Sequence, residues 1–291
     1  MVSSGMLDRY LKGVEAFLDF AQDFDYVVQH WEDLDEVVSA WLEHIFHDGE
    51  HKSLASDALA GIQFYLPQAM GRLKHSWKLA KVWQKLEPPR RVLPLSPLMV
   101  RAMARAAWSL GFIAEASAML VGFDAMLRSG ELYNLKIKHV KFYRNRAVVT
   151  LEQTKTGKRT NTAEMVVLES QLAVKALRCA CANRPKNELL LSRGARVFRS
   201  LFNALIDLFE IDGLVTVYSL RRGGASWDFL QHQAMERTLL RGRWQSTSSA
   251  RIYLQDATAM VTHLKLTAEQ QQLAVAASLL LQKSLTAMPG R

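Results

Sequence analysis

The stretch that decides the fold covers residues 242–253 and reads Gly-Arg-Trp-Gln-Ser-Thr-Ser-Ser-Ala-Arg-Ile-Tyr. It combines an indole N–H donor, two guanidinium groups and a row of hydroxyls, and it ends on Tyr253, nine residues after Trp244. Taken alone, it predicts a short helix whose terminal tyrosine packs on a core and hydrogen-bonds through its hydroxyl. Three further stretches of the chain change that interpretation.

Charge is distributed unevenly along the 291 residues. The chain has 37 Lys and Arg against 28 Asp and Glu, a formal net charge of +9, yet residues 1–50 hold only 2 basic and 12 acidic side chains. The positive excess therefore lies after residue 51, where a polyanionic partner is expected to bind. The acidic start is typical of a solvated face or a protein contact.

Length and composition indicate a globular protein of two domains, because 291 residues exceed one comfortable core and 49% of them are hydrophobic. No run of about 18 apolar residues occurs and no basic-then-apolar start, so neither a membrane span nor a secretory signal is predicted. We expect an intracellular protein, nuclear in a eukaryote and cytoplasmic in a bacterium or phage. Cys179 and Cys181 point to different faces of a predicted helix, which indicates packing residues and neither a disulfide nor a zinc pair.

The first 87 residues predict a helical domain without strands. Apolar residues recur at three- and four-residue steps over 6–24, 34–45, 53–65 and 72–86, with Asp33 as the expected cap of the second helix. The fourth helix interleaves basic residues with tryptophans. Its cationic side chains either point into solvent around a core stripe of Leu73, Trp77 and Ala80 or bind DNA phosphates, and both interpretations stay open. These basic residues are Arg72, Lys74, Lys78, Lys81 and Lys85.

Residues 88–97 contain four of the seven prolines and predict an extended linker between two domains. Beyond it, residues 98–109 and 112–127 predict apolar helices suited to burial. The period then changes, and the pattern predicts strands at 140–144, 147–153 and 163–168. Helices are predicted again at 170–182, 197–210, 219–231, 234–241, 247–260 and 267–285. The expected fold is mainly α-helical with one small antiparallel β-sheet.

Two stretches of the second domain carry side chains suited to phosphate chemistry. Arg128 follows a long apolar run, and it either forms a structural pair with Glu131 or grips an anionic oxygen through its planar fork. In residues 152–158, a lysine at a predicted strand end can reach a bound group and donate a proton. Lys155 and Lys158 are both candidates for that role.

A third stretch, residues 218–225, reads Tyr-Ser-Leu-Arg-Arg-Gly-Gly-Ala and predicts the start of a helix. Its two glycines permit the close approach of another backbone. Its two arginines, Arg221 and Arg222, lie near a helix N-terminus and favour an anion such as phosphate.

In chain order, residues of these stretches resemble the active-site signature of the tyrosine recombinase (phage integrase-like) family. The separation of nine between Trp244 and Tyr253 is similar to that between the family's His or Trp and its nucleophilic tyrosine. An acid also follows the first arginine by three residues, and Tyr218 to Arg221 resembles the family's His-x-x-Arg. The matching residues are Arg128, Lys155, Tyr218, Arg221, Trp244 and Tyr253. Tyr218 stands where the family usually has histidine, a replacement that occurs among diverged members, including some eukaryotic mobile-element recombinases.

The resemblance implies site-specific DNA recombination through a covalent 3′-phosphotyrosine, with neither a metal nor another cofactor. Tyr253 would attack the phosphorus and Lys155 would protonate the leaving oxygen. Arg128 and Arg221 would clamp the phosphate, with hydrogen bonds from Trp244 and Tyr218, and Glu131 would orient Arg128. Further DNA contacts are expected from the basic residues of the fourth helix and from Lys158, Arg222 and Arg243.

The resemblance also implies a domain plan and a partner. A DNA-clamping domain at 1–87 resembles the family's core-binding domain, and a catalytic domain at 98–262 precedes a C-terminal helix within 263–291. Four copies would assemble on double-stranded DNA, and no membrane partner is expected. The last helix either packs on its own domain or docks on a neighbouring protomer. Two other functions stay open, a DNA-binding protein of this fold with little or no catalysis and a type IB topoisomerase that relaxes DNA as a monomer.

Overall fold

The computed structural model describes residues 2–88, 92–152, 163–244, 246–247 and 267–286. The chain divides into two compact units, Met1–Arg90 and Arg91–Arg291, and the division falls inside the proline-rich segment 88–97. Each unit has a core of its own, so each is described separately.

The first unit consists of four helices, and its described residues contain no strand. Each helix lies where the apolar periodicity predicts it, with ends within three residues of the predicted ones. Their inward faces meet in one core around the buried side chains of Trp41, Leu59 and Leu73. The helices are α1 (Ser4–Asp23), α2 (Trp31–His47), α3 (Lys52–Tyr65) and α4 (Lys74–Leu86), with a short 3₁₀ turn at Pro67–Ala69.

The start of α2 differs from the prediction. The N-terminal cap is His30, not Asp33, and Asp33 lies in the first turn of the helix. Its carboxylate Oδ2 accepts hydrogen bonds from the backbone N–H groups of His30 at 2.8 Å and Gln29 at 2.9 Å. Asp33 thus satisfies orphan donors that precede the helix, which is the reaching-back half of a capping box.

The N-terminus of α4 is capped by a side chain from another helix. The Asp35 carboxylate of α2 accepts hydrogen bonds from the backbone N–H groups of His75 and Ser76, each at 2.9 Å, and from the Ser76 hydroxyl. This contact fixes one end of α4 against α2. The buried stripe of α4 contains Trp83, whereas Trp77, predicted for that stripe, is only half-buried.

The second unit is mainly helical around one small sheet, as the sequence predicts. Three antiparallel strands lie in the order β1-β2-β3, with Val149 opposite both Val140 and Val166. The strands are β1 (Val140–Phe142), β2 (Ala147–Leu151) and β3 (Glu164–Leu168), so each is present and shorter than predicted. The helices before them are α5 (Pro97–Ser109), α6 (Ile113–Asp124) and α7 (Ser129–Tyr133), with a 3₁₀ turn at Ile137–His139. The helices after them are α8 (Gln171–Cys181), α9 (Gly194–Leu208), α10 (Tyr218–His232), α11 (Met235–Gly242) and α12 (Ala268–Thr286).

The second half of the predicted linker belongs to the second unit. The Leu93 N–H donates to the carbonyl of Leu214 at 2.8 Å, and the Leu95 N–H donates to the carbonyl of Ser219 at 3.3 Å. Leu95 is fully buried against Gly223. A Cβ atom on Gly223 would lie 2.1 Å from the carbonyl oxygen of Leu95. The prediction that glycines at the start of α10 permit close backbone approach is therefore confirmed, and residues 93–95 of the predicted extended linker pack on the second unit.

The C-terminal helix α12 packs on α5 and α8 of its own chain. Ala274, Leu281 and Leu285 are buried there, and Arg105 of α5 donates a hydrogen bond to the Ser284 hydroxyl at 2.9 Å. This is the first of the two packing modes expected from the sequence, and docking on a neighbouring protomer stays a prediction. The predicted helix at 247–260 lies almost entirely outside the described residues.

Neither cysteine is in a disulfide, and both are half-buried and packed against the core of the second unit. Burial raises the pKa of Cys181 to about 11, so its thiol is a packing group at neutral pH. In the described part of the chain, no helix combines the length and the apolar character needed to cross a membrane.

Candidate active site

The site begins at the corner between α6 and α7. Met126 has a left-handed backbone with φ of 48° and turns the chain so that Arg128 precedes the first residue of α7. Glu131, one turn into α7, accepts hydrogen bonds from the Arg128 backbone N–H at 2.8 Å and from Arg128 Nη1 at 2.7 Å. The pairing of Arg128 with Glu131 that the spacing indicates is therefore present. The Arg128 side chain is 30% exposed and that of Glu131 only 3%, so the arginine faces outward from a buried carboxylate.

Arg221 is brought to the same corner by the first turn of α10. The residue is only 1% exposed, and it is among the largest buried side chains of the described residues. Its Nη1 donates to the carbonyl of Met126, and its Nη2 donates to the carbonyl of Gly242 at 2.7 Å. These carbonyls partly offset the desolvation of a buried cation and fix the plane of the guanidinium.

Trp244 lies against Arg221. The guanidinium carbon of Arg221 sits 4.5 Å from the centre of the indole ring, a cation–π geometry. The ring also covers Gly242, where a Cβ atom would lie 1.7 Å from Trp244 Cζ3. A glycine at the end of α11 is therefore what lets the indole reach Arg221.

Arg243, which the sequence predicted as a DNA contact, is buried at the same corner. Its backbone is left-handed, with φ of 58°, a conformation that costs a non-glycine residue about 1–2 kcal/mol. Its side chain is 8% exposed, and its Nη2 donates to Glu131 Oε2 at 2.7 Å. Its Nε lies 3.3 Å from Glu164 Oε2. Two carboxylates therefore hold the guanidinium inside the fold, and DNA contact by Arg243 stays a prediction.

Charge and burial act together on Arg243. Its pKa is lowered to about 10, chiefly by burial and also by the nearby charges of Arg221 and Arg128, while Glu131 and Glu164 act in the opposite direction. The group therefore keeps its charge at neutral pH. The pair with Glu131 spans 112 positions, and no local sequence pattern signals it.

The other predicted site residues divide into two groups. Tyr218 is the first residue of α10, half-buried and one helical turn before Arg221, and its N–H donates to the Thr216 hydroxyl at 3.3 Å. Arg222 is buried because the face of α10 that carries it packs into the unit, and DNA contact by this residue stays a prediction. The remaining predicted residues, Lys155, Lys158 and Tyr253, lie outside the described residues.

A second charged network, which the sequence did not signal, holds α11 in place. Buried Asp228 of α10 accepts hydrogen bonds from the Thr238 hydroxyl at 2.8 Å and from Arg241, whose Nη2 also donates to the carbonyl of Asp124 at 2.9 Å. Burial raises the pKa of Asp124, although backbone N–H groups and the charge of Arg241 act against that rise. Arg237 completes the network with an ion pair to Glu169.

One group of residues in the described part of the chain has the spacing of a metal site. Glu169, Asp228 and His232 each offer a ligand atom, and these atoms lie within 4.8 Å of one another. Both carboxylates already pair with the guanidinium groups of Arg237 and Arg241. The guanidinium groups of Arg237 and Arg241 lie within ion-pair distance of these carboxylates and would repel a metal cation, so we assign no metal there.

The basic residues around α4 are all exposed in the first unit. Arg72 lies just before the helix, with its guanidinium carbon 5.2 Å from the centre of the Trp31 ring. Lys74, Lys78, Lys81 and Lys85 project from the helix itself. The solvent-facing arrangement agrees with both interpretations of this helix, and DNA contact by these residues stays a prediction.

Comparison with known proteins identifies the fold. No protein-family model and no curated protein sequence matches the chain. Among solved structures, the XerH site-specific recombinase bound to a palindromic difH substrate, in a post-cleavage complex, has a TM-score of 0.60 at 13% identity, over 87% of this chain and 77% of that one. A lambda integrase dimer bound to a COC′ core site has a TM-score of 0.61 at 16% identity, over 87% and 89% of the two chains.

A third structure, the Tn1549 transposon integrase in complex with transposon right end DNA, has a TM-score of 0.60 at 14% identity, over 89% of this chain and 99% of that one. All three similarities cover most of the present chain at low identity. The chain has the fold of the tyrosine recombinases and integrases, as its sequence signature predicts.

Proposed function

We propose that this chain is a site-specific DNA recombinase that cuts and rejoins DNA through a 3′-phosphotyrosine. The observation that carries the proposal is the convergence of Arg128, Arg221 and Trp244, which three separate segments bring around the α6–α7 corner. The fold adds support, because the proteins that share it include recombinases and integrases solved in complex with DNA.

The arginines provide the charge that phosphodiester cleavage needs. A phosphodiester resists attack until its nonbridging oxygens are neutralised, and planar guanidinium groups bind two such oxygens at once. Arg128 combines partial exposure with a fixed Nη1, so the outer edge of its fork is available to an incoming phosphate. Arg221 adds a second positive charge that is buried away from water. Electrostatic stabilisation is stronger there than in water.

Tyr253 and Lys155 are assigned by the signature. The Tyr253 oxygen forms the new bond to phosphorus, and its hydroxyl proton leaves as the nearby cations lower a pKa of about 10. The bond to the 5′ oxygen breaks, and Lys155 donates a proton to that oxygen. In the second step the 5′-hydroxyl of another strand attacks the phosphotyrosine and releases Tyr253. The covalent bond conserves the energy of the phosphodiester, so rejoining requires no nucleotide.

The partner is double-stranded DNA, and the basic side chains around α4 would bind its backbone without reading sequence. Assembly of four copies on two DNA sites, as the resemblance implies, would supply the second strand for exchange. We assign the protein to the intracellular compartment that holds its DNA.

A second candidate function is DNA binding with this fold and without catalysis. Tyr218 favours it, because a phenol hydroxyl replaces the imidazole that the family usually has one turn before Arg221. A phenol of ordinary pKa stays neutral at pH 7 and offers only a hydrogen bond. A protein whose arginines bind the DNA phosphate, but at which the 5′ oxygen of the DNA is never released, would have this function.

Covalent capture tests the proposal without knowledge of the DNA site. The protein is incubated with a library of nicked duplexes that carry a random central sequence, and adducts that resist detergent are recovered and sequenced. We expect adducts enriched in one sequence, none with Tyr253→Phe, and normal yield with Tyr143→Phe, a matched change at an exposed tyrosine. Retention of DNA in a gel without any adduct would contradict catalysis and support the second candidate. Relaxation of any supercoiled plasmid would support a topoisomerase instead.

A further inference from the structure

We propose that Arg243 is a positioning residue for Arg128 and acts through the carboxylate of Glu131. The inference rests on the proposed function, since it assigns Arg128 to the phosphate. It starts from the two oxygens of Glu131, which have different guanidinium partners. Oε1 accepts from Arg128 Nη1 at 2.7 Å, and Oε2 accepts from Arg243 Nη2 at 2.7 Å and from the Arg128 backbone N–H at 2.8 Å.

The separate guanidinium partners of the two Glu131 oxygens matter because guanidinium and carboxylate prefer to pair through two parallel hydrogen bonds. With Oε2 occupied by Arg243, Glu131 holds the Arg128 side chain through one nitrogen. Without Arg243, Oε2 keeps only the neutral backbone N–H of Arg128 as a donor, so the carboxylate is free to rotate and offer both oxygens to the Arg128 guanidinium. The fork of Arg128 would then be engaged by a carboxylate, which competes directly with a phosphate for the same N–H groups.

Arg243 is built into the fold in a way that suits this role. Its Nε faces Glu164 at the start of β3, and its terminal nitrogens lie 3.3 Å from the carbonyl oxygens of Ala125 and Met126. The guanidinium is thus held between the α6–α7 corner and the sheet. A side chain fixed on both sides cannot follow a DNA backbone, but it can keep Glu131 in one orientation.

The charge balance points the same way. Three guanidinium groups, those of Arg128, Arg221 and Arg243, lie with two carboxylates, those of Glu131 and Glu164. Their formal sum is one positive charge. Loss of Arg243 would make the sum zero and leave Glu131 with Arg128 as its remaining cationic partner, so the attraction for a phosphate would fall together with the alignment of Arg128.

The test is a suppressor experiment on single-turnover cleavage, with saturating amounts of a nicked duplex that carries the selected sequence. Arg243→Ala is expected to slow adduct formation by about 10- to 100-fold, the range typical of groups that orient a catalytic side chain. Arg243→Lys keeps the charge but loses the fork, and an intermediate rate is expected. Adding Glu131→Gln to Arg243→Ala removes the competing charge, and the double variant is expected to cleave about tenfold faster than Arg243→Ala alone.

Arg237→Ala is the matched control, since it removes an arginine of α11, the helix that Arg243 follows, and this arginine pairs with Glu169 and Asp228 instead of Glu131. Thermal unfolding of every variant accompanies the rates, and we expect Arg237→Ala to lose stability while cleaving at the wild-type rate when folded. Arg243→Ala at the wild-type rate, or a double variant no faster than Arg243→Ala, overturns the positioning role. If Arg243→Ala does not fold, Arg243→Lys and its double variant with Glu131→Gln carry the same comparison. Absence of any adduct with the wild-type protein overturns the proposed function, and this inference with it.

Discussion

The guanidinium carbon of Arg221 lies 4.5 Å from the centre of the Trp244 indole, and the two groups come from different segments of the chain. Arg221 belongs to the first turn of α10, and Trp244 follows the end of α11. A desolvated cation–π contact contributes up to about 2 kcal/mol. The indole therefore covers a buried cation, and its N–H is the donor that the family signature assigns to the phosphate.

Substitution of Trp244 separates these two contributions. Trp244→Phe keeps an aromatic face over Arg221 but removes the N–H donor, so we expect near wild-type thermal stability and single-turnover cleavage slower by about 100-fold. Trp244→Ala removes both and should lose stability as well. Cleavage of the selected duplex and thermal unfolding by circular dichroism measure the two effects. Trp227→Phe, at a half-exposed position of α10, serves as the control, and a Trp244→Phe protein as fast as the wild type would refute the donor role.

Gly242→Ala tests whether the position of the indole matters when its chemistry is intact. A Cβ atom at this position would lie 1.7 Å from Trp244 Cζ3 and 2.1 Å from Cε3, so the ring has to leave its place over Arg221. The backbone itself favours the change, because alanine is the better helix former by about 1 kcal/mol. Because the gain in helix propensity offsets part of the lost contact with Arg221, we expect a smaller loss of stability than in Trp244→Ala and a cleavage rate close to that of Trp244→Ala. Gly5→Ala is the matched control, because Gly5 is a helical glycine with nothing within 4 Å. Equal cleavage rates for Gly242→Ala and Gly5→Ala would contradict the argument.

Much of the fold follows from local patterns, and much of the site does not. The helices of the first unit and the three strands follow from apolar periodicity, which depends on neighbours a few positions apart. The pair of Arg128 and Glu131 was also predictable from the sequence, because its members are three positions apart, about one helical turn. The contact of Arg243 with Glu131 was not, since 112 positions lie between them and only tertiary packing brings them together. For the same reason no sequence pattern showed that Arg222 and the side chain of Arg243 are buried, since basic residues are mostly exposed.

The packing of α10 against α6 predicts a severe effect of Gly224→Ala. A Cβ atom there would lie 2.0 Å from the carbonyl oxygen of Phe123, and both contacting segments are backbone, which cannot rotate away. Overpacking of this kind costs about 1–3 kcal/mol and occasionally more, so we expect a clearly lowered free energy of unfolding in urea. Gly130→Ala is the control in the same unit, because nothing lies within 4 Å of the added methyl group. Comparable stability of the two variants would show that the close approach of the two helices is not needed.

Acid stability of the first unit should depend on Asp35. Burial alone would raise the pKa of Asp35, but hydrogen bonds from the Ser76 hydroxyl and from the N–H groups of Ser76 and His75 outweigh it and lower the pKa below its ordinary value. The unfolded chain then binds this proton more readily than the folded chain does. The contribution of Asp35 to stability is therefore complete above a pH of about 4 and is lost as the pH falls through the lower pKa of the folded state.

Urea unfolding of Asp35→Asn at pH 7 and at pH 3 measures that contribution. Loss of the carboxylate cap of α4 is expected to cost about 1 kcal/mol at pH 7, the usual value for an N-terminal cap. The difference from the wild type should shrink at pH 3, because the wild-type carboxyl is itself becoming protonated there. Glu36→Gln, the exposed neighbour on α2, is the matched control and should follow the wild type at both pH values. An Asp35→Asn difference that stays constant between the two pH values would mean that the contribution of the cap does not depend on the charge of Asp35.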